Sequence, residues 1–457
     1  MIKKIFLRLC MMIMFIGLVI VIYASDREEI DFENEKCLAS VELSEDEQIV
    51  DCIVNKNLND VAIVIEGKKR AFISKVSTYF VYHNGDRSEA YDYAGYLTFY
   101  QDGKQLVYKA RINNKWYVLC GEEMSEAYDE VWDLTFSLDG KQLAYIARID
   151  NKWYIVCEKK NSEAYDRVGY LTFSPDGNLL AYKAKIDGKW YIVCGKDKSE
   201  AYDKVWWIEF SPDGKQLAYT AEIDGKWYVV CGKEKSKAYD FAGYPTFSPD
   251  GKKLAYAAKI DDKWYVVFGD NKSEAYYYVS HLTFSPDCKQ LAYLAVIDGK
   301  YYVVCGKEKS EAYDRVGYPV FSQNGKKLAY AAKIDGKWYV VCGKEKSEAY
   351  DDVRYLRFSP DGKLLAYLAV IDGKCYVVCG KEKSEAYDSV GYFTFSPDGK
   401  QLAYIAKVGV KWYVLCGKEI SEAYDGVGYL TFSPDGKKLA YVTIEGNEFW
   451  KRIMKVE

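Results

Sequence analysis

Serine and aspartate recur through this 457-residue chain in one motif, Ser-Glu-Ala-Tyr-Asp, as at Ser162 to Asp166. Such a pair could serve acyl transfer, where a hydroxyl attacks once a neighbouring base takes its proton. The motif's serine, however, returns at Ser88, Ser125, Ser162, Ser199, Ser236, Ser273, Ser310, Ser347, Ser384 and Ser421. Catalysis uses one constellation, and ten equivalent ones have no centre. The pattern therefore has Ser ending a turn and Asp hydrogen-bonding backbone, and it assigns no catalytic residue. Two carboxylates for glycoside hydrolysis cannot be singled out among repeating ones. A ring of carboxylates binding calcium is a conceivable minor reading. No Gly-x-Ser-x-Gly elbow of a hydrolase domain follows the repeats.

Cysteine is the next candidate chemistry. Cys120, Cys157, Cys194, Cys231, Cys305, Cys342, Cys379 and Cys416 hold one repeat position, and Phe268 fills it in the copy that begins at Ser236. Equivalent strands of packed sheets lie about 10 Å apart. A disulfide needs Cα atoms within about 7 Å, so these thiols should stay free, as small buried hydrophobes. Cys37 and Cys52 could pair. There is no paired Cys-x-x-Cys, and His83 and His281 are the only histidines, so no metal ligand set is assigned. No cofactor is expected either.

Departures from the repeat say more than the repeat does. One position reads Gly95, Trp132, Gly169, Trp206, Gly243, Ser280, Gly317, Arg354, Gly391 and Gly428. The next reads Tyr96, Tyr170, Tyr244, Tyr318 and Tyr392 in odd copies, against Asp133, Trp207, His281 and Tyr355 in even ones. Bare and bulky side chains alternate, so the chain grew partly by duplicating pairs of copies. Trp132, Trp206, Trp207 and Arg354 have the side-chain types that anchor interfaces. Asp133 and His281 would orient the partner. The bland alternative makes all six packing residues.

The elements that must position these residues follow from the 37-residue period of the motif. In the copy Ser162 to Lys198, Tyr170 to Phe173 reads as a strand, stopped by the turn Ser174-Pro175-Asp176-Gly177. Leu179 to Ile186 is a second strand, Asp187-Gly188 a two-residue type I′ hairpin, and Trp190 to Cys194 a third strand. The next Ser199 to Tyr202 reads as a short fourth, outer strand. Four strands leave no length for a helix, and one such sheet must stack on its neighbours. Radial stacking predicts an all-β fold, a β-propeller of 37-residue four-stranded blades.

The segments Phe173 to Gly177 and Leu179 to Tyr182 resemble the WD40-like (PD40) repeat of TolB-type bacterial β-propellers. The likeness covers about nine tenths of the chain. It implies a periplasmic or surface-exposed interaction platform, and it does not specify function, because propellers serve as enzymes, sensors and scaffolds.

Residues 1–25 stand apart. Lys3 and Lys4 precede an uncharged apolar run from Leu9 to Ala24, read as a signal peptide or a membrane anchor. Either one exports the repeats, to the periplasm, cell envelope or beyond, and so many free thiols suit a reducing or anoxic setting. Residues 26–49 read as an acidic spacer, and residues 50–457 as propeller repeats. The first of these is a degenerate eleventh copy, with Val61 to Val64 on its first strand, Ala71-Phe72 on its second and Tyr79 to Tyr82 on its third. A spare outer strand near Val50 to Val54 would pair with the last copy. About eleven copies make one large ring or array, or alternatively two tandem propellers. Net charge is −4, three units more negative without Lys3, Lys4 and Arg8, which argues against nucleic acid as partner. The favoured reading is a non-catalytic exported scaffold that binds a protein partner, or envelope glycan, through one propeller face. The alternative is a propeller enzyme or ligand sensor with a site in the central channel.

Overall fold

The structure is a computed structural model that describes residues 30–456 apart from 45–46, 55–56, 59, 71–74 and 101–104. The leader reading of residues 1–25 lies outside the described residues, as does the placement of Ala71-Phe72. Among the described residues every regular element is a strand. They form eleven antiparallel sheets of the β-propeller type, each with four consecutive strands in its ladder except the eighth and the last. Blades one to eleven open with strands Glu47–Val54, Tyr93–Tyr100, Glu130–Phe136, Arg167–Phe173, Lys204–Phe210, Phe241–Phe247, Tyr278–Phe284, Arg315–Val316, Asp352–Phe358, Ser389–Phe395 and Gly426–Phe432. In blade eight the opening strand resumes at Val320–Phe321, on the same neighbour.

Blade four shows why the repeat folds this way. Its strands are Arg167–Phe173, Leu180–Ile186, Lys189–Cys194 and Asp197–Lys198. Asp187 and Gly188 both take positive φ, 48° and 83°, the geometry of the type I′ turn whose twist matches the strands it joins. In the Ser-Pro-Asp-Gly turn the Gly177 amide donates to the Ser174 carbonyl at 2.8 Å. The buried Ser174 hydroxyl donates to Asp176 and accepts the Leu179 amide at 2.9 Å. A polar group buried there is stable only because it is bonded both ways.

The fourth strand is not where the sequence puts it. Two residues, Asp197–Lys198, form it, and Ser199 to Tyr202 runs on as a crossover to blade five. Tyr202 keeps one antiparallel bridge, to Trp190. The Ser199 hydroxyl accepts the Ile192 amide at 2.9 Å, which ends the turn as its sequence position suggests.

Both faces of a blade are buried by its neighbours. Ile192 of blade four packs with Tyr202, Val205, Tyr219, Ala221 and Val230 of blade five. Alanine at Ala181, Ala184, Ala218 and Ala221, all without exposed surface, lets the sheets approach. Each buried Val or Ile contributes about 1.5–3 kcal/mol. Buried tyrosines also join hydroxyl to hydroxyl, as Tyr202 to Tyr219 at 3.1 Å.

The chain divides into two compact units. A terminal unit holds the residues up to Val131 together with Ala386–Glu457, and a central unit holds Trp132–Glu385. In the terminal unit, blade one is displaced by one strand from the sequence reading: Glu47–Val54 is its first strand and Val61–Arg70 its second. The strand that completes blade eleven is therefore Lys36–Ser40, inside the stretch read as spacer. Ile30, Phe32 and Val41 bury against Phe449 and blade one, and the buried Lys451 ammonium donates to the Asp31 carbonyl at 2.7 Å. A five-residue strand was hard to see because acidic residues flank it and no repeat copy matches it.

Candidate functional site

The two alternating positions coincide with a β-bulge. In blade four, Gly169 pairs with Lys183 and the ladder resumes at Thr172 with Ala181, so Tyr170 and Leu171 are skipped. Tyr170 has φ of 53°. The equivalent residues Tyr96, Asp133, Trp207, Tyr244, His281, Tyr355 and Tyr429 also lie between 47° and 59°. Left-handed backbone costs a side-chain-bearing residue about 1–2 kcal/mol, and bulges commonly use glycine there. This chain keeps the bulge and fills it with aromatic, acidic and imidazole side chains.

All six sequence candidates fall in the central unit, but not in one cluster. Trp206 and Trp207 meet edge to face, 5.4 Å between ring centroids. Trp206 lies 5.0 Å from Trp227 and Trp207 5.0 Å from Tyr244. Both contact Phe241. Trp132 stands elsewhere, 54% exposed, beside Trp153 at 6.4 Å. Asp133 follows it, exposed at the bulge of blade three. His281 stacks on Tyr318 at 4.1 Å with Nδ1 2.8 Å from the Ser280 hydroxyl, and burial holds its pKa below the ordinary value. Arg354 donates through Nε to Asp352 of its own blade at 2.6 Å.

At the junction of blades five and six the bare position has a packing cause. A Cβ on Gly243 would come within 2.9 Å of the Trp207 ring and 3.2 Å of Phe241. The bulky bulge residue of blade five thus lies over the bare position of blade six. His281 of blade seven reaches Tyr318, the residue at the equivalent position of blade eight.

Sequence reasoning missed Phe241, Tyr278 and Glu209. Phe241 lies 5.3 Å from Trp264, which lies 5.4 Å from Tyr278, and the Tyr278 and Tyr244 hydroxyls are 3.2 Å apart. Trp206, Trp207, Phe241, Tyr244 and Tyr278 thereby make one aromatic run over the first strands of blades five, six and seven, which lie side by side. The signal was available, since Phe241 and Tyr278 open their strands where Glu130, Arg167, Lys204 and Arg315 are charged. Glu209 replaces the threonine of Thr172, Thr246 and Thr283. Glu209 is exposed, and the desolvation its carboxyl still meets raises its pKa to about 7.

The repeated Ser-Asp motif has a structural place. Asp166 accepts the Lys152 ammonium at 2.7 Å and the Asp187 amide at 2.9 Å, which lowers its carboxyl pKa. All twelve described cysteines are free, Cys37 and Cys52 included. Those at the repeated position are half-buried, not fully buried, except Cys416. Their slot is at the end of the third strand, where the Cys231 thiol donates to the Gln216 side-chain amide oxygen at 3.4 Å. Elsewhere, His83 Nε2 is 2.6 Å from Asp60 in blade one.

No family model matches the chain, and no curated protein does. Among solved structures it is similar to a eukaryotic initiation factor at 13% identity, over 67% of this chain and 90% of that one, with a TM-score of 0.40. It is also similar to the Dos1 propeller at 11% identity, over 71% and 92%, with a TM-score of 0.35. A third is the β-propeller domain of the Trilobed protease from Pyrococcus furiosus, at 13% identity over 65% and 96%, with a TM-score of 0.30. On its own strands and registers, the chain is a β-propeller of eleven blades.

Proposed function

We propose that this protein is a non-catalytic scaffold that binds a protein partner through the bulged first strands of its central unit. The observation that carries this is the bulge itself. A left-handed residue retained in eight blades stores strain, and such strain persists where something else depends on it. Beside it stand Trp132 and Trp206, 54% and 39% exposed, which offer large contact area at little entropic cost. On the same reading the repeats are of the WD40-like PD40 kind and exported, with residues 1–25 as leader or anchor.

The test uses the full chain and co-purification from cell envelopes. Trp132→Gly copies what odd-numbered copies carry at this position. It should weaken partner capture by more than about tenfold, the usual size of a hot-spot loss, while Tm stays put. Unchanged capture, or a steep fall in Tm, would make Trp132 a packing residue and remove this face. Trp206→Gly is the less clean variant, because Trp206 also packs on Trp227 and Phe241.

A further inference from the structure

We propose that Arg167, Lys183 and Lys185 of blade four form a recognition site for a carboxylate, presented by an acidic segment of the protein partner, at the junction with blade five. The inference rests on the scaffold reading and names the chemistry that one part of the face takes.

Three observations converge. First, the three cations share one face of the blade. Arg167 stands directly opposite Lys185 in the ladder, and Lys183, two residues before Lys185, stands opposite Gly169. Cross-strand partners lie on the same side of a sheet, and residues two apart return to it. The Trp190 ring gathers both lysines, with the Lys183 ammonium at 4.9 Å and the Lys185 ammonium at 5.8 Å. The Tyr170 ring lies 4.8 Å from the Lys183 ammonium. That ammonium also donates to the Val205 carbonyl of blade five at 3.5 Å, one residue before the exposed Trp206. Gly169 has no side chain to cover the Lys183 stem, and a Cβ there would meet Lys183 Cε at 3.4 Å.

Second, among the described residues no carboxylate bonds Arg167, Lys183 or Lys185. Asp166 lies within reach of the Lys185 charge, but its two oxygens already accept the Lys152 ammonium and the Asp187 amide. Burial, with the Arg167 charge added, holds the Lys183 pKa below its ordinary value. Like charges directly opposite each other destabilise a sheet, and an arriving carboxylate removes that repulsion. Guanidinium offers it a bidentate fork and ammonium a compact charge. Third, the copies differ here. Blade five has the same cross-strand pair as Lys204 with Glu222, joined at 2.7 Å, and Thr220 in place of Lys183. Blade eight repeats the cationic pair, Arg315 opposite Lys333, but has Ala331 in place of Lys183. Among blades two to eleven, blade four alone carries cations at all three positions.

The experiment titrates the full chain with an acetylated, amidated tri-glutamate peptide, following the indole NMR signal of Trp190. The tri-glutamine peptide is the control, and inorganic phosphate is titrated separately. A saturable shift with tri-glutamate and none with tri-glutamine is expected. Affinity should fall about tenfold in Lys183→Thr, the residue that blade five carries, and about threefold in Arg167→Gln. Arg167 is exposed, so its variant keeps the test alive if Lys183→Thr fails to fold. Arg315→Gln in blade eight removes the same charge and should leave affinity unchanged. If it costs as much as Arg167→Gln, overall charge explains the binding and the site falls. No saturable shift in the parent chain, or unchanged affinity in both blade-four variants, would overturn the site as well. Tighter binding of phosphate than of tri-glutamate would mean a phosphate site and would overturn the assignment to a partner's carboxylate. Loss of partner capture by Trp132→Gly is a separate readout, so the two proposals can fail independently.

Discussion

At the scale of single residues, the bulge position gathers tyrosine, tryptophan, histidine and aspartate where glycine would be the relaxed choice. Tyr355 isolates that cost. Its φ is 58°, it is 62% exposed, and no aromatic ring packs on it among the described residues. Replacing a left-handed residue by glycine removes the Cβ clash but adds chain entropy to the unfolded state. Tyr355→Gly should therefore leave stability unchanged or raise it by up to about 1 kcal/mol, measured by urea denaturation. A loss of comparable size would show that the ring is held by contacts. Trp132, Trp206, Trp207 and Arg354 were legible because each departs from the glycine or tyrosine that most other copies carry at its position. Tyr244 was harder, since it obeys the odd-copy rule and matters only beside Trp207 and Tyr278. Glu209 was overlooked because a single Thr-to-Glu change on a strand looks like surface drift.

At the scale of the element, the blade is less independent than its repeat suggests. Between blades five and six, a bulky side chain of one blade occupies the space above the bare position of the next. Gly243→Ala should cost about 1–3 kcal/mol as an overpacking change, since its Cβ would press on Trp207, itself braced by Phe241 and Tyr244. Gly317→Ala is the matched control. Its Cβ would meet only Ala331, at an ordinary 3.5 Å, and stability should hold. Combining Gly243→Ala with Trp207→Ala should recover most of the loss, a coupling readable in a double-mutant cycle. If Gly243→Ala costs no more than Gly317→Ala, Trp207 does not hold the bare position at Gly243.

At the scale of the whole molecule, the repeat multiplies its own titration behaviour. Burial pushes Cys379 up to about 11 and Cys52 and Cys416 up to about 12, from an ordinary 9.0. Tyr278 and Tyr429 rise to about 12 from 10.0. These groups keep their protons in the folded chain after the unfolded chain has lost them. Their stabilising contribution is complete below about pH 9 and declines as pH rises from 9 to 12. The denaturation midpoint should accordingly be level through neutral pH and fall on the alkaline side. Alkylation of the native chain at pH 7 should be slow, because thiol, not thiolate, predominates. Without reductant but in denaturant, at least eight cysteines per chain should react. A midpoint that stays flat to pH 11, or fast native alkylation, would contradict the burial of these thiols.

The sequence alone determined the strand-turn-strand grammar: a strict 37-residue period, Pro-Asp-Gly and Asp-Gly turns and alternating apolar residues leave a four-stranded antiparallel sheet as the local solution. It also determined the sheet's need for neighbours, because one such sheet cannot bury both of its faces alone. Tertiary structure decided what depends on contacts across blades. Lys36–Ser40 becomes a strand because Glu448–Lys455 offers an open edge. Ser199 to Tyr202 becomes a crossover because blade five claims Tyr202 for its core. Phe241 joins the tryptophans because the first strands of blades five and six adjoin. A period records what each copy repeats, while a site lies where different copies meet, and distances across copies are set only once the blades pack.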